Sequence, residues 1–317
     1  MAAMILMALS PLMATRKSRE DDINDIGNRR IAHRSIISEE KEEAIGKQYA
    51  AQVERSAKMV KDPVIDEYIN RLAQNLASNS DVQIPISAKV IDSPAINAFA
   101  LPGGFIYVNT GLLQAADSEA QVAGVLAHEI AHVAARHWAS EMTKRTILSY
   151  AWIPLMVTPM SYPVYMGVAE AMNYGVPLAF LKFSRADEAE ADFLGIQYMY
   201  KSGYDPNAYV GVFGKVLEQE RTHPGSVPSV FADHPLTGDR IIKAEEEIQT
   251  LLPKRQEYLV STSEFNDVKT RLQTVMADYR RPKKSEPTLR RRPQPDTSTT
   301  GSGTSDDDKP PVLRRRD

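Results

Sequence analysis

The sequence predicts an α+β protein in which a mainly helical domain at residues 35–280 carries a small antiparallel sheet. Apolar spacing and start and stop signals divide most of this stretch into helices. Three short runs rich in β-branched and aromatic residues, all between positions 87 and 108, predict the strands. The 317 residues are 43% hydrophobic and 25% charged, which is ordinary for a soluble protein with a large core.

Several of the predicted helices have recognisable starts. Asp62 precedes Pro63, and proline suits the first position of a helix. Ser118 and Gln121 fit a capping box ahead of a long apolar segment. The predicted helices cover about residues 38–56, 64–77, 118–137, 183–201, 206–220, 238–251 and 263–279.

The predicted strands are close together in sequence. Ser87–Ile91 is the first, and Ala98–Leu101 and Phe105–Val108 flank a Pro-Gly-Gly turn. A tight turn of this kind joins its flanking strands as an antiparallel hairpin.

Both ends of the chain differ from the body. Residues 1–15 are apolar like the centre of a signal peptide, but no Lys or Arg precedes them. We interpret them as an incomplete signal peptide; the alternative is a frayed apolar terminus. Residues 281–317 are rich in Arg, Pro, Ser and Thr and predict a disordered tail. Residues 280–317 hold 11 basic and 6 acidic side chains, a net +5, which leaves −8 on the rest.

The stretch 146–169 contains no charged residue and is long enough to cross a membrane. However, Pro154, Pro159 and Pro163 lie inside it, and each removes a helical hydrogen bond. We therefore expect broken apolar hairpins that pack on the core or touch a membrane surface. A true membrane span is the alternative.

The composition excludes several kinds of chemistry. Cysteine is absent, so there is no disulfide, thiol nucleophile, iron–sulfur cluster or cysteine-ligated zinc. A net charge of −3 argues against a chain built as a whole to bind nucleic acid. Any metal ion must be held by His, Asp or Glu.

The segment His128-Glu129-Ile-Ala-His132 is the most informative motif. Two histidines four residues apart project from the same face of a helix and can share one metal ion. Glu129 is near enough to reach a water on that ion. The pattern predicts a zinc-protease site with one Zn²⁺ per chain; the alternative is a helix with two core histidines.

The third ligand must come from elsewhere, because a hydrolytic zinc site has three protein ligands and one open position. Glu188, Asp192 and Gly195 share one face of a predicted helix at 100° per residue. Glu188 is therefore the best candidate for the third ligand, and Asp192 is placed to accept the ring N–H of a ligand histidine. The alternative is a solvated acidic helix start.

These motifs, with Asn97–Val108 and His234-Pro235, resemble one zinc metallopeptidase family of the gluzincin, His-Glu-x-x-His type. It comprises the CAAX-prenyl endopeptidases, the HtpX-type heat-shock proteases and the periplasmic beta-barrel assembly-enhancing proteases. The resemblance covers about residues 38–250 and implies a gluzincin-like metalloprotease domain of the soluble branch. It also implies that Glu188 is the third zinc ligand and that His234 lies close to the zinc.

The expected reaction is hydrolysis of a peptide bond. Glu129 takes a proton from the zinc-bound water and later delivers it to the leaving amine. Arg240 or His234 would donate to the oxyanion; His234 would alternatively occupy the open zinc position or merely cap the next helix. His137 is expected to face away from the site.

Substrate is expected to add as a strand to the hairpin edge, the alternative being plain core sheet. That edge comprises Asn97, Ala98, Phe99 and Ala100.

We therefore predict a zinc-dependent endopeptidase acting on misfolded or envelope proteins of a bacterial cell envelope, periplasmic or secreted. The alternative is a chaperone-like or binding module on the same fold with proteolysis switched off. A deformylase is excluded because that class needs a cysteine ligand. Polypeptides are the expected substrates, and residues 146–169 and the tail are expected to contact a membrane or another anionic surface. No specific nucleic acid is expected, and the sequence does not fix the oligomeric state.

Overall fold

The computed structural model describes residues 22–156, 183–222, 234 and 237–280. Three predictions fall wholly or partly outside them. These are the signal segment at 1–15, the tail at 281–317, and the part of the apolar stretch from 157 to 169.

Helices dominate the described residues, and the predicted mainly helical α+β class is confirmed. In chain order they are α1 (Glu39–Ser56), α2 (Pro63–Ser78), α3 (Thr110–Ala115), α4 (Glu119–Ala134), α5 (His137–Met156), α6 (Arg185–Lys201), α7 (Asn207–Thr222), α8 (Gly238–Leu251) and α9 (Ser263–Arg280). Two details differ from expectation. α4 ends before residue 137, and α5 continues past Pro154, which does not break the helix at that point.

The sheet is mixed, which corrects the predicted antiparallel sheet. Its strands are β1 (Ser87–Ile91), β2 (Ala98–Leu101) and β3 (Phe105–Asn109), in the order β1-β3-β2. β2 and β3 form the predicted antiparallel hairpin, but β1 runs parallel to β3. The reason is that residues 92–97 reverse the chain and carry it one strand further across, so that β3 returns between β1 and β2.

Side-chain caps set the starts of the helices. Asp62 Oδ1 accepts hydrogen bonds from the amides of Val64 and Ile65 at the start of α2. Ser118 Oγ accepts from the amide of Gln121 at the start of α4, as predicted. The Gln121 side chain accepts from the amide of Asp117 instead of closing a capping box.

The central element is α4, of which every residue from Glu119 to Ala134 is buried. It packs against α2, β2, α6 and α7, so its faces meet protein on several sides. A helix buried all round must be apolar or carry polar groups that are paired within the protein. The polar side chains in the middle of α4 are therefore the first place to look for function.

Residues 22–34, which precede the predicted domain, also contact the body. The buried Arg29 pairs with Asp81 at 2.5 Å, and the amide of His33 donates to the carbonyl of Ala135 at 2.9 Å. None of the helices within the described ranges is both long and apolar enough to cross a membrane.

Candidate active site

His128 and His132 lie one turn apart in α4, as the spacing predicts. Their Nε2 atoms are 3.1 Å apart, and the two residues are 2% and 3% exposed. Both rings therefore turn the same nitrogen toward one point in the interior.

Glu188, near the start of α6, brings a carboxylate to that point. Its Oε2 lies 3.5 Å from His128 Nε2, and its Oε1 lies 3.5 Å from His132 Nε2. α6 is able to come this close because Gly195 faces the backbone of α4. A Cβ at Gly195 would be 3.1 Å from the His128 amide nitrogen. The small residue identified in the sequence thus allows the close packing that brings Glu188 to the histidines.

The three side chains fit a tetrahedral metal ion. Ligand bonds of 2.0–2.1 Å place the ligand atoms of a tetrahedral site about 3.3 Å apart. The two Nε2 atoms are 3.1 Å apart, and each lies 3.5 Å from a different oxygen of the Glu188 carboxylate, which is close to that spacing. Two imidazole nitrogens and one carboxylate are also a donor set typical of catalytic zinc. The described residues thus offer three ligands for a metal ion.

His234 is a fourth member of this cluster. Its Nδ1 lies 2.7 Å from Glu188 Oε1, and the residue is 7% exposed. One ligand atom from each of His128, His132, Glu188 and His234 lies within 4.8 Å of the others. The structure therefore brings His234 to the site, as the resemblance implied.

Asp192, one turn after Glu188, contacts the other nitrogen of His128. Its Oδ1 lies 3.1 Å from His128 Nδ1, which is the arrangement predicted from the helical spacing. The hydroxyl of Tyr209 in α7 donates to the same oxygen and lies 3.1 Å from His128 Nδ1. Asp192 and Tyr209 together fix the orientation of the His128 ring.

Arg240 in α8 connects the two acidic side chains of α6. Its Nε and Nη2 donate to Asp192 at 2.7 and 2.6 Å, and its Nη1 lies 2.9 Å from Glu188 Oε2. Two nitrogens of the guanidinium group are thus bonded to Asp192, and its charge lies beside the Glu188 carboxylate.

Glu129 is buried beside the cluster and is anchored by the sheet. Its Oε2 accepts a hydrogen bond of 2.8 Å from the amide of Ala100 in β2. The residue is 3% exposed, and it contributes no atom to the cluster of possible metal ligands. One carboxylate oxygen is therefore held in place by the backbone.

The outer edge of β2 lies next to Glu129, and no strand within the described residues pairs with it. The amide of Asn109 donates to the carbonyl of Asn97, and Ala98 lies opposite Val108. Because pairing alternates along an antiparallel ladder, Asn97 and Phe99 direct their backbone groups to β3. Ala98 and Ala100 direct theirs to the opposite edge. Of the four predicted edge residues, these two direct their backbone groups away from β3; the Ala100 amide already donates to Glu129, and Ala98 is 3% exposed.

Burial and pairing shift the pKa values of the histidines differently. Burial lowers the pKa of His132 well below its usual value, which keeps the ring neutral and its lone pair available. Burial also acts against protonation of His128, but hydrogen bonds to Asp192 and Glu188 outweigh it and raise its pKa to about 9.

The two glutamates of the site also differ. Burial raises the pKa of Glu129, which suits a group that has to accept a proton. Burial acts in the same direction on Glu188, but His234 and His128 outweigh it and hold its pKa well below the usual value. Glu188 therefore stays ionised, as a metal ligand must be, while Glu129 has the more basic carboxylate.

Sequence reasoning missed several groups around the site. His137 was expected to face away, but its Nδ1 lies 2.8 Å from His132 Nδ1. The helical spacing misled because α4 ends at Ala134 and Arg136 takes a left-handed φ of 56°, so the two histidines are on different helices. Phe183 stacks on the His132 ring at 4.1 Å. No local motif marks Tyr209 or Phe183, because each meets the site through a different helix or loop.

Similarity to known proteins covers the part of the chain that carries the site. The model of peptidase family M48 matches residues 62–248. The beta-barrel assembly-enhancing protease of Yersinia pestis is 32% identical over 76% of this chain and 51% of its own length. That of Escherichia coli (strain K12) is 30% identical over 80% of the chain and 52% of its own length. The mitochondrial metalloendopeptidase OMA1 of Arabidopsis thaliana is 38% identical over 40% of the chain and 25% of its own length. The chain thus spans about half the length of the bacterial relatives.

Proposed function

Because this chain belongs to peptidase family M48, we propose that it is a zinc-dependent endopeptidase acting on misfolded or envelope proteins. The family that the sequence motifs indicated is the family found. The observation that best supports the activity is the convergence of three side chains from two closely packed helices: the Nε2 atoms of His128 and His132 are 3.1 Å apart, and each lies 3.5 Å from an oxygen of Glu188.

His128, His132 and Glu188 would hold the ion. Two imidazole nitrogens and one carboxylate suit zinc, and the chain has no cysteine to offer a competing ligand. When bound, zinc lowers the pKa of a water ligand to about 7 and polarises the scissile carbonyl.

Glu129 is the general base in this proposal. The Ala100 amide holds Oε2, which leaves Oε1 to accept a proton from the attacking water. The same carboxyl group then delivers the proton to the leaving amine. Its raised pKa favours this exchange, because a base works best when its pKa is near the operating pH.

Arg240 and His234 have separate tasks. Arg240 holds Asp192 in place through two hydrogen bonds and forms an ion pair with Glu188. His234 is the better candidate for contact with the reacting groups, either as a ligand that occupies the open metal position or as a donor to the oxyanion. A polypeptide substrate would pair with the outer edge of β2 through backbone groups of Ala98 and Ala100 other than the Ala100 amide, which donates to Glu129.

A place in the bacterial envelope is the setting we propose, periplasmic or secreted. Support comes from the names of the bacterial relatives, which describe proteases that enhance beta-barrel assembly. The apolar stretch at 146–169 and the basic tail are the proposed contacts with membrane or another anionic surface.

The function is tested by metal content and cleavage of an unfolded protein, with and without a chelator. We expect one zinc per chain and cleavage that the chelator abolishes and added zinc restores. Glu129→Gln should retain zinc and lower turnover about 10²–10⁴-fold, the usual contribution of general acid–base catalysis. Glu188→Gln should weaken zinc binding itself.

The matched control is Glu67→Gln, at a glutamate of α2 whose side chain is 77% exposed. It should change neither zinc content nor turnover. Full zinc occupancy with normal activity in Glu188→Ala would exclude Glu188 as a ligand. Binding of unfolded protein without chelator-sensitive cleavage would favour the chaperone-like alternative.

A further inference from the structure

A second group of titratable side chains lies directly behind His132. His137 Nδ1 is 2.8 Å from His132 Nδ1, and His137 Nε2 is 3.4 Å from Glu190 Oε2. The same Glu190 oxygen is 2.8 Å from His33 Nε2. The four side chains form a continuous chain of polar contacts from the centre of the site toward the surface. The His137 side chain is fully buried, whereas those of Glu190 and His33 are 30% and 32% exposed.

Separate parts of the fold supply the three residues. The chain turns sharply at Arg136, whose left-handed backbone places His137 at the start of α5 and against His132. Glu190 follows Glu188 by two residues in α6 and therefore points to another side of that helix. His33 belongs to the segment before α1, outside the match to the family model, and its amide is bonded to the carbonyl of Ala135.

The positions of the protons follow from the contacts. His132 turns Nε2 to the proposed metal position, so a neutral ring must carry its proton on Nδ1. That N–H then donates to His137 Nδ1, which leaves the proton of a neutral His137 ring on Nε2. The nearest acceptor for it is Glu190 Oε2, since Asp187 Oδ1 is further away at 4.0 Å. His33 Nε2 donates to the same carboxylate from the surface side.

We propose that His137, Glu190 and His33 are positioning residues that fix the proton and the orientation of His132 for metal binding. His128 has a carboxylate directly on its second nitrogen, in Asp192. Among the described residues no carboxylate bonds to His132 Nδ1, and the three residues supply the equivalent interaction through an intervening histidine. Partners of this kind raise the basicity of the ligand and hold its ring in place. The proposal rests on the proposed metal site.

The same three side chains also have the composition of a metal site, with their ligand atoms within 4.8 Å of one another. A cation on His137 Nε2 would require the His137 proton to move to Nδ1. That proton would then face the one on His132 Nδ1 across 2.8 Å. Metal ions in both sites would therefore require one histidine ring to lose a proton. With a single ion no proton has to be lost, and this favours the positioning role.

Metal affinity of the full-length chain tests the proposal. Zn²⁺ and Co²⁺ are titrated in competition with a chelator, and the stoichiometry and the cobalt absorption spectrum are recorded. His137→Phe keeps a ring of similar size but removes both nitrogens. It should raise the Kd for both ions about 10–100-fold and change the cobalt spectrum. His137→Asn keeps a polar group near the Nδ1 position and should restore most of the affinity.

Two further variants test the outer part of the chain. Glu190→Gln and His33→Phe should also raise the Kd, and by less than His137→Phe, because each acts through more intervening contacts. Glu67→Gln is the control, and its Kd should equal that of the wild type. Thermal unfolding of the metal-free proteins distinguishes this role from a merely structural one. If His137 had only a structural role, His137→Phe would lower the melting temperature and His137→Asn would not restore the metal affinity.

The outcomes are distinguishable. A wild-type chain that binds neither ion would overturn the proposed function. One tightly bound ion in the wild type and unchanged Kd values in His137→Phe, Glu190→Gln and His33→Phe would overturn the positioning role alone. Two ions per chain, with one lost in His33→Phe, would also overturn it and would indicate a second metal site. If His137→Phe does not fold, the Kd of Glu190→Gln, a substitution at a partly exposed side chain, decides whether the positioning role holds.

Discussion

At the scale of single residues, four side chains surround the carboxylate of Glu188. His234 Nδ1 lies 2.7 Å from Oε1, and Arg240 Nη1 lies 2.9 Å from Oε2. Both histidines of α4 are 3.5 Å from the same carboxylate. A histidine so close to a proposed metal ligand is within reach of the open position of the proposed site. Substrate entry would then require His234 to leave.

We therefore expect His234→Ala to increase cleavage of loose, unfolded substrates and to increase self-cleavage. The physical reason is that the substitution frees a coordination position while His128, His132 and Glu188 keep the ion. The measurement is the turnover of an unfolded protein and the rate of autolysis at equal zinc content. A loss of turnover of about 10²–10³-fold would instead assign His234 as a donor to the oxyanion. Unchanged rates would exclude both roles.

Residue patterns within one helix were predictable from sequence, and contacts between elements were not. The i, i+4 spacing of His128 and His132, and of Glu188 and Asp192, fixes shared faces before any fold is known. The contact of His137 with His132 depends on the left-handed turn at Arg136, which does not follow from helical periodicity. The contacts of Tyr209 with His128 and of His33 with Glu190 depend on how segments distant in sequence pack together.

At the scale of elements, the approach of α6 to α4 sets the position of Glu188 and Asp192. A Cβ on Gly195 would meet the His128 amide nitrogen at 3.1 Å, its Cα at 3.2 Å and the Ala127 carbonyl carbon at 3.3 Å. All three are backbone atoms of a buried helix, so they yield less readily than the end of a side chain. The glycine is therefore part of the metal site's geometry without contacting a ligand side chain.

Gly195→Ala should destabilise the protein by about 1–3 kcal/mol, the usual cost of overpacking a core, and should weaken zinc binding. The matched control is Gly214→Ala in α7, where an added Cβ meets no atom within 4 Å. That substitution should stabilise the protein by about 0.5–1 kcal/mol, because glycine is the poorer helix former. Urea unfolding and a chelator competition measure both effects. Equal stability of the two variants would show that α6 is free to move.

Only part of the strand pairing in the sheet could be predicted from the sequence. The Pro-Gly-Gly turn joins β2 directly to β3, so their antiparallel pairing is a local property of the sequence. Gly103 and Gly104 take φ values of 77° and 84° there, which explains the choice of residue. The parallel pairing of β1 with β3 depends on the path of the intervening residues, which short strands of this composition do not encode.

At the scale of the whole molecule, charge is distributed unevenly along the chain. Residues 280–317 carry a net +5 and the rest −8, and the unit Pro-x-Leu-Arg-Arg-Arg occurs twice in the tail, at 287–292 and 311–316. Removal of residues 281–317 should leave metal binding and peptide cleavage unchanged. It should weaken adhesion to anionic vesicles, and that adhesion should fall with salt because exposed charges are screened over about 10 Å at 0.1 M.

The control for the tail is the full-length chain with the six arginines of the two repeats replaced by glutamine. It should lose vesicle binding to a similar degree as the deletion, since the length is kept and only the charge is removed. A lower melting temperature of the deletion variant would instead show that the tail stabilises the body.

Residues 22–34 also contribute to the molecule as a whole, through a buried ion pair. Arg29 donates to Asp81 through Nε and Nη2 and to Gln197 through Nη1, at 2.5 to 3.2 Å. Asp81 also accepts from the Tyr198 hydroxyl at 2.9 Å and from the amide of Gly27 at 2.7 Å. The segment is thereby joined to the loop after α2 and to α6.

Arg29→Met should therefore destabilise the protein by about 3–5 kcal/mol, because it leaves the Asp81 carboxylate buried without its counter-charge. Adding Asp81→Asn should recover part of that loss, since a neutral amide is less costly to bury, and its oxygen can accept from the Gly27 amide while its NH2 group donates to the Tyr198 hydroxyl. Urea unfolding of the two single variants and the double variant closes the cycle. Losses that simply add would show that the pair is not coupled. Coupling between Arg29 and Asp81 would mean that a domain taken to start at residue 35 lacks a segment that stabilises it. The same segment, residues 22–34, carries His33 to the site.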